Sequence, residues 1–170
     1  MPSISEERPV PIELTAIYHT KAGYAAFFNE EHLSLGKVIL IYMDCYGGFA
    51  TRTTVHGAKL MRPMTHDLTK DILVAFGVKL RCVYIVSRED DGLDKDAIYK
   101  ALVILEMNNE VEPFKIVEVD ARPSDALALA IRMNAPLYIK KSLWMQMEDV
   151  SSLLNDLRTS YPEAGIPDFP

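Results

Sequence analysis

Residues 120–136 read DARPSDALALAIRMNAP, and this stretch decides the fold. Pro123 suits the first turn of a helix, where a missing N–H costs nothing. Asn134 and Pro136 end the helix. Between them, Ala126 to Ile131 is apolar nearly all round. The predicted helix over 123–133 must therefore be buried on several sides. Just before it, residues 114–119 read as a strand. A strand thus runs into a buried helix through a charged corner.

Working outward, residues 136–139 read as a last short strand. Residues 150–159 read as an amphipathic helix, with Leu153, Leu154 and Leu157 on one face. Residues 161–170 read as a tail. Upstream, residues 79–87 and 97–107 read as two strands joined by an acidic turn at Glu89 to Gly92. That run of acids lacks the ligand spacing of a calcium loop. A second helix is predicted over 65–76, with Thr65 as N-cap, Asp67 answering the helix dipole and Gly77 closing it. Leu68, Ile72, Leu73 and Phe76 form its apolar face. Residues 10–20, 24–28 and 37–44 read as an N-terminal meander of strands, after a lead-in over 1–9. Residues 45–57 are ambiguous, because Gly47, Gly48, Thr51, Thr53 and Thr54 are poor helix formers. Hairpins mixed with single helices predict an α+β fold, with a mainly antiparallel or mixed β-sheet and two or three packed helices. Residues 10–147 form the expected domain, and 148–170 a short helix and tail.

The 170 residues are 49% hydrophobic and 25% charged, which suits one globular domain with its own core. Apolar runs stay far below the ~20 residues of a membrane helix. The N-terminus is polar and acidic, unlike a signal peptide, and the expected compartment is the cytoplasm. Cys45 and Cys82 form no CxxC pair and are expected as buried free thiols. The net charge is −6. Residues 1–85 carry 9 basic and 8 acidic groups, whereas residues 86–170 carry 9 and 16. That balance argues against tight, nonspecific binding of nucleic acid, which draws on clustered Lys and Arg.

Two polar clusters each open a predicted helix. Residues 62–68 read RPMTHDL, where His66 beside Asp67 could supply a base or a metal ligand. The plainer reading is a cap, a dipole partner and an ion pair for Arg62. Residues 120–126 read DARPSDA. Asp120 and Asp125 could hold a divalent cation, and the Arg122 fork could hold a phosphate. The plainer reading is a strand-to-helix corner with Arg122 locked between acids and Ser124 or Asp125 as cap. His19, His32 and His56 read as structural or solvated. P-loop, GxGxxG, HExxH and GxSxG patterns are absent from the sequence.

These two clusters in this order, with the APLYI segment at 135–139, resemble the bifunctional nuclease domain family. The resemblance runs from about Ile12 to Met147. It implies a compact α+β domain that often self-associates, with some members cutting both DNA and RNA. Carried across, the family's motif positions fall on Arg62, His66, Asp67, Asp120, Arg122, Ser124 and Asp125. The family commonly has a Glu-Ala pair at the start of an Ala-rich helix, and here that pair falls on Gly47 and Gly48. Either a metal-binding Glu has gone, or the local packing differs.

Two function classes follow. In the first, the chain is a metal-assisted nuclease for single-stranded DNA or RNA. Asp120 and Asp125 bind Mg²⁺ or Mn²⁺, with Asp67 as a further candidate ligand. His66 serves as acid or base, and Arg122 or Arg62 stabilises the phosphoryl transition state. Arg62 and Ser124 would also contact substrate. In the second, the same charges form a structural network in a non-catalytic binding or assembly module. In either case a homo-oligomer is expected.

Overall fold

A computed structural model describes residues 8–33, 36–89, 98–107 and 114–161. The fold is α+β. Strands β1 (Val10–Thr20), β2 (Gly23–Glu30) and β3 (Val38–Met43) form the predicted meander. Strands β4 (Val78–Glu89), β5 (Ile98–Met107) and β6 (Lys115–Ala121) form a second antiparallel meander. The short strand β7 (Leu137–Ile139) joins them. It runs antiparallel to β1, pairing Ile139 with Val10, and parallel to β4, pairing Ile139 with Ile85. The mixed seven-stranded sheet has the order β3-β2-β1-β7-β4-β5-β6. The expected last strand is present and lies at the centre of the sheet.

The described residues hold five helices, not two or three. These are α1 (Cys45–Val55), α2 (Thr65–Ala75), α3 (Pro123–Met133), α4 (Lys141–Gln146) and α5 (Ser151–Ser160). Strand β2 is buried on both faces. Tyr24, Ala26 and Phe28 pack with Leu127 and Trp144, whereas Ala25 and Phe27 pack with Leu154 of α5. The α3 helix meets its expectation: Ser124, Ala126, Leu127, Ala128 and Ala130 are buried, and Asn134 adopts the left-handed conformation that ends it.

The ambiguous segment 45–57 is helical. Tertiary contact overrides its weak propensity. Asp44 caps α1, its carboxylate accepting from the Tyr46 and Gly47 N–H groups at 2.8 Å each. The Thr53 and Thr54 hydroxyls donate back to the Phe49 and Ala50 carbonyls at 2.9 Å each. Both glycines are required by close approach. A Cβ on Gly47 would lie 2.4 Å from the Ser124 Cβ, and one on Gly48 would lie 2.3 Å from the Tyr24 ring. Glycine here lets α1 seat directly on α3 and β2.

Three further expectations are corrected. Thr65 is not the N-cap of α2; Met64 is, and the Asp67 carboxylate accepts its N–H at 2.8 Å. The apolar side of α2 is only partly covered, with Leu73 half-buried. No residue of α2 is buried, and Leu68, Ile72, Val74 and Phe76 are exposed. Of the two thiols only Cys82 is buried; Cys45 is exposed at the start of α1. The lead-in over 1–7, the acidic turn at 90–97 and the tail over 162–170 lie outside the described residues. No described helix is long and apolar enough to cross a membrane.

Candidate functional site

Three helix starts converge. The α1 start brings Asp44, the α2 start brings His66 and Asp67, and the α3 start brings Arg122, Ser124 and Asp125. Arg122 is the hub. Its Nε and Nη2 donate to the two Asp125 oxygens at 2.7 and 3.1 Å. Its Nη1 donates to Asp44 Oδ2 at 2.7 Å. This two-pronged grip is the geometry in which a guanidinium binds a carboxylate most specifically. His66 Nε2 sits 3.1 Å from Asp125 Oδ1. An ionised carboxylate only accepts, so Nε2 is the donor in this contact. Burial pushes the Asp125 pKa up, but the hydrogen bonds and charges of Arg122 and His66 outweigh it and hold the carboxyl below its usual range. The Arg122 side chain is still 64% exposed and His66 15%, so the cluster opens to solvent on its arginine side.

A second contact locks the three helices together. Arg132 of α3 is 4% exposed and donates through Nε to Asp67 Oδ1 at 2.6 Å. Its remaining nitrogens donate to the Ala128 carbonyl at 3.0 Å and to the Ala50 carbonyl of α1 at 3.2 Å. Burial raises the Asp67 pKa, and the hydrogen bonds from Arg132 and from the Met64 N–H bring it below its usual range.

The residues predicted from sequence divide accordingly. His66, Arg122 and Asp125 come together. Ser124 is buried beside them, with Oγ 3.4 Å from Asp44 Oδ2. Asp67 belongs to the Arg132 contact. Asp120 stands apart, exposed at the end of β6 and 3.5 Å from Lys100 Nζ. Arg62 is exposed and makes no ion pair among the described residues. It lines a second cleft of about 430 Å³ with Asp67, Lys70 and Arg132.

Mg²⁺ or Mn²⁺ is held through carboxylate oxygens. Here both oxygens of Asp44 and both of Asp125 already accept from N–H, guanidinium or imidazole donors. Among the described residues no group of three His, Cys, Asp or Glu side chains is gathered for a metal. As arranged, a cation at Asp125 would share or compete for oxygens that Arg122 and His66 already engage.

A cleft of about 410 Å³ adjoins the cluster, lined by His19, Tyr24, Tyr46, Phe49, Met64 and His66 among others. His66 belongs to both. Sequence reasoning missed Asp44 and Arg132, as well as the aromatic lining. The signal for Asp44 was its place just ahead of a segment too rich in Gly and Thr to read as a helix. Arg132 looked like an ordinary last-turn cation.

The Bifunctional nuclease domain matches residues 30–151, a span that includes all three helix starts. Two uncharacterized proteins of Mycobacterium tuberculosis are each 31% identical over 90 residues, covering 53% of this chain and 46% of theirs. The chain thus matches about half the length of these relatives. With most of its length inside the matched span, this chain belongs to the bifunctional nuclease domain family.

Proposed function

We propose that the chain binds single-stranded DNA or RNA and hydrolyses its phosphodiester bonds at the Arg122–Asp125–His66 cluster. The observation that carries this reading is the shared His66, which is held by Asp125 and lines the adjoining cleft. Family membership supports the substrate class. Arg122, open on one side, would neutralise charge on the phosphate oxygens. The His66 ring, oriented through Nε2, would accept a proton at Nδ1 from the attacking water. The water oxygen forms a bond to phosphorus as the bond to the leaving sugar oxygen breaks. The proton then returns to that leaving oxygen. Asp125 positions His66 and Arg122 together. The free thiols support a reducing compartment, the cytoplasm. The exposed apolar residues of α2 support self-association.

A second reading, a non-catalytic binding module, is favoured by the mutual pairing of the charges. One experiment separates the two. Purified protein is incubated with single-stranded DNA and RNA beside His66→Ala, Arg122→Lys and Asp125→Asn variants of verified fold. Cleavage that falls at least about a hundredfold in His66→Ala supports the nuclease. Strand binding without cleavage supports the module.

A further inference from the structure

We infer that the cleft beside His66 takes one unstacked nucleobase, so that the protein grips a nucleotide-sized unit of a single strand rather than a long phosphate track. This rests on the proposed function and names how its substrate is held.

The first observation is the lining. Tyr46 and Phe49 lie three residues apart on α1, hence on one helix face. Tyr46 is 85% exposed and Phe49 46% exposed, although both are aromatic. The β1–β2 hairpin supplies His19 and Tyr24, whose rings sit 4.9 Å apart and tilted by 59°. Aromatic faces at a cleft are the usual platform for unpaired bases, because every base has a π-face. The second observation is charge. None of the cleft's lining residues among the described ones is Lys or Arg, and the chain carries a net charge of −6. Affinity that follows a polyphosphate needs several cations. Here one exposed guanidinium, Arg122, stands at the cluster that His66 joins to the cleft. One phosphate and one base are what these groups can engage. The cleft volume of about 410 Å³ falls in the range of small-molecule sites.

The test measures equilibrium binding to the full chain by fluorescence anisotropy. The probes are phosphorothioate oligothymidylates, which resist cleavage: a trinucleotide and a chain of about twenty units. A phosphorothioate strand of the longer length without bases is the third probe. The trinucleotide is expected to bind within about threefold of the long chain, and the abasic strand about tenfold or more weaker. Tyr46→Ala and Phe49→Ala should each weaken oligothymidylate about tenfold, and Tyr46→Trp should restore it. The salt dependence should correspond to about one phosphate contact. Equal binding of the abasic strand, or no effect of Tyr46→Ala, overturns the base cleft while leaving the nuclease reading intact if cleavage persists. Binding of neither strand overturns both.

Discussion

Arg122 and Asp44 are 78 residues apart in the chain and meet at 2.7 Å. Asp44 therefore has two tasks: one oxygen caps α1 and the other holds the guanidinium that also grips Asp125. The two tasks separate by substitution. Asp44→Asn keeps an amide oxygen suited to the cap but loses the ion pair. Arg122 is largely exposed, so this variant should lose less than about 1 kcal/mol of stability. Asp44→Ala should lose the cap as well, about 1 kcal/mol more. Urea denaturation checks the difference. Equal losses in the two variants would mean that the cap contributes nothing.

The Asp67–Arg132 contact is the more demanding one, because Arg132 is nearly sealed from water. Removing its carboxylate leaves a buried guanidinium with only carbonyl partners. Asp67→Ala should cost about 3 kcal/mol, the low end for a broken buried pair since Asp67 keeps some solvent. Replacing both residues, Asp67→Leu with Arg132→Met, should recover part of that loss. Calorimetric melting of the three proteins measures it.

Acid stability follows from the same groups. Asp67 and Asp125 both have pKa values lowered in the folded state. A lowered carboxyl contributes stability that is fully present above its unfolded pKa of about 3.9 and is lost as pH falls through the folded value. The part of the unfolding free energy that these two carboxyls contribute should hardly change above pH about 5 and should decline below about 4. In Asp67→Asn the acid decline should be shallower. A wild-type profile that is flat into strong acid would refute the assignment.

Since Arg122 and His66 already engage oxygens of Asp44 and Asp125, a divalent cation must compete with them to bind. Melting temperatures in EDTA and in millimolar Mg²⁺ or Mn²⁺ should agree within about one degree. A rise of several degrees with Mn²⁺, abolished by Asp125→Asn, would show that the guanidinium yields to metal.

Helix α2 leaves Leu68, Ile72, Val74 and Phe76 in water with no residue buried. A second copy of the chain is the expected cover. Sedimentation velocity should show an oligomer that Ile72→Glu with Phe76→Glu converts to folded monomer. A monomeric parent protein at tens of micromolar would remove α2 as an interface.

The sequence by itself determined the elements whose signals are local. The α3 helix was legible to the residue, because Pro123 and Asn134 act on the backbone around them. The N-terminal meander and the β4–β5 hairpin were legible from apolar patterning. His66, Arg122 and Asp125 stood out because charged residues at a helix start need partners. Only the tertiary structure decided the rest. It made a helix of the Gly- and Thr-rich segment, because contact with Ser124 and Tyr24 outweighs propensity and only glycine fits. It set β7 at the centre of the sheet, where pairing partners lie on two distant strands. It sent Asp120 to Lys100 and recruited Asp44 and Arg132 in its place as partners of the helix starts. Those pairings join residues 65 and 78 positions apart, a separation over which local sequence carries no geometric information.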